Sequence, residues 1–203
     1  AINPGMPVYG QDGSYNSEFD DPMGAPVENP LFIAENFSDK RNMKDFIVNN
    51  YLDYEFIPGL NFRTSFGLKF NLNQTELWKS SKIGTYADKS SPATAAAIDK
   101  KGLNWLNENT LTYKKNFNEK HDLNVVAGLT VQKDTYSQLS AGATDFPTDY
   151  IHYLSAGTIN SGTHLKSEWS MVSLLARANY VYDNKYMLTA TVRRDGSSRF
   201  GAN

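Results

Sequence analysis

The sequence contains no cysteine and no long apolar run. Without cysteine, the chain can form neither a disulfide framework nor a thiolate metal site. A transmembrane helix needs about 20 consecutive apolar residues, and no stretch of the chain approaches that length. The first residues, Ala1 to Pro4, have neither the charged nor the apolar part of a signal peptide, so none is predicted. A disulfide scaffold is therefore excluded, and no transmembrane helix is expected in this sequence.

The charge is nearly balanced, with 20 basic and 22 acidic residues and a formal net charge of −2. Neither the total nor any local cluster of lysine and arginine supplies the basic surface that nucleic acid requires, so we expect no nucleic-acid partner.

Aromatic residues are abundant, at 13% of the chain with 12 tyrosines and 11 phenylalanines. The mean hydropathy is nevertheless −0.52, so the chain is polar as a whole. Many large rings on a polar chain are typical of β-strands with one apolar and one polar face.

Strict alternation of apolar and polar residues runs from Leu60 to Leu72. One face carries Leu60, Phe62, Thr64, Phe66, Leu68, Phe70 and Leu72. The other carries Asn61, Arg63, Ser65, Gly67, Lys69 and Asn71. Period-2 alternation indicates a strand, and strands of globular proteins average only about 5–6 residues. Such a long strand favours a membrane barrel whose apolar face meets lipid.

The pattern recurs, which predicts an all-β fold, namely part of an antiparallel transmembrane β-barrel with about six strands. The strands form three hairpins, at residues 43–73, 104–136 and 168–195. Residues 1–42, rich in proline and glycine, are predicted to be an extracellular loop. Within it, Leu31–Asn36 suits either a short strand or one helical turn. A small helix is predicted at Pro92–Lys101.

Short and long connections alternate along the chain. The short turns lie near residues 58–59, 118–121 and 183–185, and the long connections span residues 74–103 and 137–167. Compact soluble domains rarely contain structureless loops of that length, whereas outer-membrane barrels have short periplasmic turns and long extracellular loops. We therefore expect the short turns to face the periplasm.

Candidate solute-contacting residues follow from the alternation. Charged residues on the polar face are expected to line the lumen: Asp53, Glu55, Arg63, Lys69, Arg177 and Arg193. Aromatic residues in the long connections are candidates for contact with a substrate or a lid protein: Trp78, Tyr86, Tyr150 and Tyr153. Tyrosines near the short turns are expected to form an interfacial girdle: Tyr51, Tyr54, Tyr113, Tyr180, Tyr182 and Tyr186.

No catalytic or metal-binding arrangement is recognisable in the sequence. His121, His152 and His164 are scattered without ligand spacing, and Gly196-Ser197-Ser198 lacks the second glycine of a nucleophile elbow. Neither an enzymatic activity nor a cofactor is therefore predicted.

The stretch from Lys185 to Gly201, which contains Leu188-Thr189-Ala190-Thr191 and Asp195-Gly196-Ser197-Ser198-Arg199-Phe200-Gly201, resembles the SusC/RagA family of TonB-dependent outer-membrane transporters. Weaker similarities occur in the same order along the chain. They lie at Met6–Tyr9 with Asp12-Gly13, at Asn29–Leu31, at Ile57–Phe62 and at Trp169–Tyr182.

The resemblance implies a segment from the middle of a barrel in the bacterial outer membrane, with the plug domain and the TonB box absent. Family members import oligosaccharides or peptides. The implied partners are outer-membrane lipid, a SusD-like lipoprotein lid, TonB, acting through an N-terminal part that this chain lacks, and the imported substrate. The alternative is a soluble β-sandwich adhesin or binding module, which predicts strands of about 5–6 residues and two sheets around a dry core.

Overall fold

The computed structural model describes residues 7–13, 15, 29–84 and 91–201. These residues form one helix, α1 (Pro30–Asn36), a short 3₁₀ helix (Leu154–Ala156) and six strands. The strands are β1 (Phe37–Ile57), β2 (Leu60–Lys79), β3 (Thr94–Phe117), β4 (His121–Thr144), β5 (Thr158–Tyr182) and β6 (Tyr186–Ser197). They make one sheet in the order β1-β2-β3-β4-β5-β6. The predicted all-β, antiparallel fold is confirmed.

The strands are longer than predicted. β1 to β5 have between 20 and 25 residues, and β6 has 12. The hairpins predicted at 43–73, 104–136 and 168–195 therefore extend to residues 37–79, 94–144 and 158–197. Because the strands are longer, the long connections predicted at residues 74–103 and 137–167 are reduced to residues 80–93 and 145–157.

The helix predicted at Pro92–Lys101 is wrong, because β3 begins at Thr94. Alanine has the highest helix propensity, but Ala93 and Ala95 are buried in a tertiary cluster, and strand pairing overrides the local preference. The choice left open at Leu31–Asn36 resolves as α1. Asn29 caps this helix by accepting a hydrogen bond from Leu31 N, and Pro30 occupies its first turn. The end of the loop predicted at 1–42 thus belongs to α1 and β1.

Three tight turns join the paired strands at residues 58–59, 118–120 and 183–185. Asn118 and Glu119 both have positive φ angles, of 53° and 60°, and Asp183 and Asn184 have values of 49° and 52°. Two consecutive positive φ values define the type I′ turn, whose twist matches that of a hairpin. Because these turns are tight, the strands that they join (β1 with β2, β3 with β4 and β5 with β6) are neighbours in the sheet.

Chain contacts divide the molecule into two compact units. The first comprises residues 1–43, 73–99 and 138–164, and the second comprises residues 44–72, 100–137 and 165–203. In the first unit, Trp78, Ala93 and Ala95 form a small buried cluster against which Phe146 and Leu154 pack.

In the second unit, the sheet has one apolar and one polar side, as the alternation predicts. One depression is lined by apolar side chains from five neighbouring strands, namely Phe62, Leu111, Leu129, Leu174 and Val192. Another is lined by polar side chains, which include Ser65, Glu108, Thr130, Ser173 and the guanidinium groups of Arg63 and Arg193.

Apolar side chains are largely uncovered. Among the described residues, the buried hydrophobic ones are Trp78, Ala93, Ala95 and Ala143. Phe46, Phe56, Leu174 and Val192 are instead more than half exposed. Because a water-soluble sheet would bury such a surface, the apolar side requires a non-aqueous environment. The β-sandwich alternative is wrong, since the described strands are long and belong to one sheet.

The described residues include no helix long and apolar enough to cross a bilayer.

Gly59 provides a test of the turn geometry. Its φ is +86°, and an added Cβ would clash with the Lys114 carbonyl oxygen. The Gly59 carbonyl also accepts a hydrogen bond from Lys114 N at 2.8 Å, so the turn is held against β3. We expect Gly59→Ala to destabilise the complete barrel protein by about 2 kcal/mol or more, measured by urea unfolding in detergent.

Gly13→Ala is the matched control, because Gly13 has φ +79° but nothing within 4 Å of an added Cβ. Equal losses in the two variants would show that the contact with Lys114 contributes nothing.

Candidate functional site

A polar cleft of about 400 Å³ lies in the second unit and draws side chains from five strands. Its lining is Arg63, Ser65, Glu108, Thr110, Gly128, Thr130, Ser173, Leu175 and Arg193. Hydroxyl, carboxylate and guanidinium groups together give the cleft both hydrogen-bond donors and acceptors. Two of the predicted lumen-facing residues, Arg63 and Arg193, share this cleft.

Arg63 lies between two neighbours on β1. Its guanidinium is 3.9 Å from the Asp53 carboxylate and 4.5 Å from the centre of the Tyr51 ring. The predicted residues Asp53 and Arg63 therefore lie side by side. Tyr51 was expected in the tyrosine girdle, but its contact with Arg63 puts it on the polar face instead.

Arg193 is held by groups on two strands. Its Nε donates to both carboxylate oxygens of Asp195 at 2.9 Å, and its Nη2 donates to Ser173 Oγ at 3.4 Å. Asp195 was missed by the sequence analysis, although its position two residues after Arg193 on one strand places both side chains on the same face.

The other predicted lumen residues are dispersed. Arg177 Nε donates to Asn179 Oδ1 at 3.3 Å, and Asn179 also accepts from Thr189. Glu55 accepts a hydrogen bond from Gly59 N at 2.8 Å and so stabilises the turn that follows β1. Lys69 is exposed on β2.

Aromatic side chains gather at the short-turn end of the second unit. Tyr54 and Phe56 make an edge contact at 5.0 Å, and Tyr182 stacks on Tyr186 at 6.5 Å. His121 lies against Tyr182 at 5.0 Å. His121 Nδ1 is also hydrogen-bonded to the Tyr180 hydroxyl. Rings with polar tips at the end of an apolar face are suited to a membrane–water boundary.

Trp78 was predicted to lie in a long connection, and that placement is wrong. It lies in β2, is only 5% exposed, and packs edge-on against Phe146 at 4.8 Å. The His152 ring stacks on the Trp78 ring, with 4.2 Å between the ring centres. Trp78 therefore anchors the 145–157 connection rather than offering a free surface. Tyr86 lies outside the described residues.

Asp149 provides a second anchor for the same connection. Its carboxylate accepts hydrogen bonds from Ser80 Oγ at 2.6 Å, from Ser81 N at 3.2 Å and from Ser81 Oγ at 3.1 Å. Partial burial acts to raise the pKa of Asp149, but these hydrogen bonds and the nearby Lys82 charge outweigh it, so the pKa is lower than usual.

Tyr150 and Tyr153 are held outward by this anchored connection, at 95% and 77% exposure. They border a cleft of about 430 Å³ in the first unit, together with Lys40, Glu76 and His152. Exposed rings beside a cation and a carboxylate can stack on a ligand and hydrogen-bond its polar groups. Sequence analysis identified the tyrosines but missed Lys40 and Glu76, which carry no distinguishing local pattern.

The described part of the chain contains no group of three histidine, aspartate or glutamate side chains that could hold a metal ion.

Curated relatives cover nearly the whole chain. TonB-dependent receptor P3 of Formosa agariphila is 34% identical over 204 residues, which are 98% of this chain and 20% of the receptor. TonB-dependent receptors P39 and P26 of the same organism are 32% and 30% identical over 95% and 98% of the chain. The chain spans about a fifth of the length of these relatives. No protein-family model matches it.

Solved structures have the same fold. The RagAB peptide importer in its open-open state superposes with a TM-score of 0.83 at 22% identity, over 95% of this chain and 22% of the matched chain. The RagAB peptide transporter gives a TM-score of 0.82 at 21% identity with the same coverage. The six strands thus have the arrangement of one stretch of a much longer barrel chain.

We expect Asp149→Ala to loosen the 145–157 connection, because three hydrogen bonds to a carboxylate are lost. A cost of about 2 kcal/mol is in the range for such bonds. Hydrogen exchange of the complete protein should show faster exchange at residues 145–157 and little change elsewhere. Asp145→Asn, on the same connection, is the control; equal acceleration in both would contradict the anchor.

The same anchor predicts a pH dependence. Because the folded pKa of Asp149 is lowered from 3.8, its contribution is complete above that value and is lost as the pH falls through the lower folded value. Protection of residues 145–157 should therefore be constant between about pH 5 and 8 and decline only in strong acid. A decline near pH 6 would implicate a histidine instead.

Proposed function

This chain belongs to the TonB-dependent receptors, to one stretch of which it corresponds, and we propose that it forms part of the wall of an outer-membrane import barrel. The resemblance to the SusC/RagA type at Lys185–Gly201 agrees with the similarity to RagAB. The complete protein would act as an active importer energised through TonB.

The observation that carries the proposal is the two-sided sheet. Its strands are long enough to cross a bilayer, since a tilted spanning strand needs about 9–11 residues. Exposed phenylalanine and leucine side chains on one side suit outer-membrane lipid. In hydrocarbon, all backbone groups must be paired, so further strands would close the barrel beyond β1 and β6.

The polar side would then face the lumen. Arg63 pairs with Asp53, and Arg193 pairs with Asp195. These pairs place charged groups in the lumen while keeping its net charge small. Lys69 and Arg177 extend the same polar lining by strand alternation. A lumen with both charge signs suits neutral or zwitterionic polar solutes, which is consistent with oligosaccharides or peptides as the imported class.

The sidedness follows from the connections. The three tight turns are of the periplasmic kind, and the longer connections at 80–93 and 145–157 are of the extracellular kind. In this orientation, Tyr150 and Tyr153 lie outside the cell, where they would contact substrate or a SusD-like lipoprotein lid.

Cysteine labelling tests this orientation, because the chain has no cysteine of its own. In intact cells, a maleimide too large for porins should label the Tyr150→Cys variant of the complete protein. The Asn184→Cys variant should be labelled only after the outer membrane is permeabilised. The reverse pattern would contradict the proposed sidedness. Absence of both labelled variants from the outer-membrane fraction would contradict outer-membrane insertion.

The exposed tyrosines allow a test of recognition. We expect the double variant Tyr150→Ala, Tyr153→Ala to lower uptake at limiting substrate concentration at least fivefold, because tyrosine is enriched among the interface residues whose truncation costs more than about 1 kcal/mol. Uptake is measured as growth on oligosaccharides, or on peptides, as the sole nutrient. Tyr186→Ala, which removes an exposed tyrosine at the short-turn end, is the control and should grow as the unaltered protein does.

A further inference from the structure

A short bend near the start of the chain packs on α1 in the first unit. Gly13 N donates to Gly10 O at 3.0 Å, so the chain reverses direction there. A bridge then pairs Tyr9 with Tyr15, and the centres of these two rings are 5.1 Å apart. We call residues 9–13 and 15 the tyrosine bend. Its own contacts close it into one local unit.

Tyr15 joins the tyrosine bend to α1 by two contacts. Its hydroxyl donates to Glu35 Oε1 at 2.5 Å, and its ring meets the Phe32 ring edge-on with 5.8 Å between the ring centres. Glu35 and Phe32 are three residues apart and therefore lie on the same side of the helix. The bend thus packs along one side of α1.

Asn29 joins the same two segments and is only 1% exposed. Its Oδ1 accepts from Leu31 N at 3.0 Å and caps α1, while its Nδ2 donates to Val8 O at 2.8 Å, directly before the bend. The two ends of one buried amide therefore hold the helix and the bend together. Loss of either hydrogen bond would leave a buried polar group unsatisfied, which is costly.

The other end of α1 reaches the connection at 145–157. Asn36 O accepts from Ser80 N at 2.9 Å, and the Ser80 hydroxyl donates to the Asp149 carboxylate at 2.6 Å. Asn36 also borders a cleft of about 400 Å³ together with Asp149 and Tyr150. The helix therefore forms one wall of the cleft beside which Tyr150 is exposed.

We propose that the tyrosine bend, held on α1 by Asn29, positions Tyr150 for ligand recognition beside this cleft. Asn29 is then a positioning residue, since it acts through α1, Ser80 and Asp149. Rigid elements joined by hydrogen bonds can carry such coupling between two places in a protein. The proposal rests on the recognition role of Tyr150 that is proposed above.

The variant Asn29→Asp separates the two roles of the amide. A carboxylate still accepts from Leu31 N and caps α1, but it cannot donate to Val8 O. We expect residues 30–36 of the complete protein in detergent to keep their protection from hydrogen exchange. Residues 145–157 should exchange about fivefold faster, which is the effect of one typical hydrogen bond.

Asn73→Asp is the matched control. It introduces the same charge in the first unit, and its carboxylate can still accept the hydrogen bond that Asn73 accepts from Thr75 Oγ1. Exchange at residues 145–157 should be unchanged in this variant. An equal acceleration in Asn73→Asp and Asn29→Asp would show an effect of charge alone and would overturn the proposal.

Tyr15→Phe provides a second route to the same test, because it removes the hydroxyl that Glu35 accepts but keeps the ring. It should accelerate exchange at residues 145–157 in the same direction, though less, since that hydrogen bond is exposed. This variant decides the question if Asn29→Asp does not migrate as a heat-modifiable barrel on gels. Unchanged exchange at 145–157 in every folded variant of the two would overturn the proposal.

A double-mutant cycle tests whether Asn29 acts through Asp149. If it does, the variant that combines Asn29→Asp with Asp149→Ala should exchange at residues 145–157 no faster than Asp149→Ala alone. Multiplication of the two single effects would show that the sites are independent, and the proposal would then fail.

Uptake by cells is the second readout. Asn29→Asp should raise the substrate concentration for half-maximal uptake by up to about fivefold, the same factor as above, and leave the maximal rate unchanged. A lower maximal rate alone would contradict a positioning role. Normal growth of the Tyr150→Ala, Tyr153→Ala variant would instead refute the recognition function, whereas the exchange coupling would persist, so the two failures are distinguishable.

Discussion

Pairing of backbone N–H and C=O groups between neighbouring strands is the interaction on which the other features depend. In hydrocarbon, each unpaired group costs several kcal/mol, so long strands must stay in register over their whole length. That register determines which side chains share a face. Met171 to Tyr182 pair continuously with Ser197 to Tyr186, and every second residue along this ladder points to the same side. Separation of the polar from the apolar face is thus a consequence of backbone pairing.

Separation of the faces also governs how charges are arranged. Arg193 with Asp195 and Arg41 with Asp39 are two residues apart on one strand, and Arg63 with Asp53 joins neighbouring strands. Charges on the polar face can therefore pair locally without crossing the sheet. Arg194 has the opposite parity along β6 and therefore lies on the other face.

The connection at 145–157 follows a different principle. Trp78, Phe146 and His152 pack together, and Asp149 is tied to Ser80 and Ser81. These contacts hold the connection in place and leave Tyr150 and Tyr153 exposed. A segment with a fixed conformation pays less entropy on binding, so anchoring and exposure together suit the tyrosines to recognition. Sequence analysis selected Tyr150 and Tyr153 as loop aromatics, and the structure leaves both exposed, but it assigned Trp78 the same role. Composition cannot distinguish an anchoring ring from an exposed one.

Local alternation by itself determined the strands, their two faces and the tight turns, because side-chain direction repeats every two residues whatever the partner strand is. The closing motif at Lys185–Gly201 also determined the family resemblance. Tertiary structure decided where strands end, since β3 takes in the alanine-rich stretch at 94–97 only because it pairs with neighbours and packs near Trp78. It likewise decided that Asp149 anchors a distant turn, that Tyr51 contacts Arg63, and that Arg194 adjoins the apolar depression of the second unit. Each of these depends on residues far apart in the chain, which no local pattern encodes.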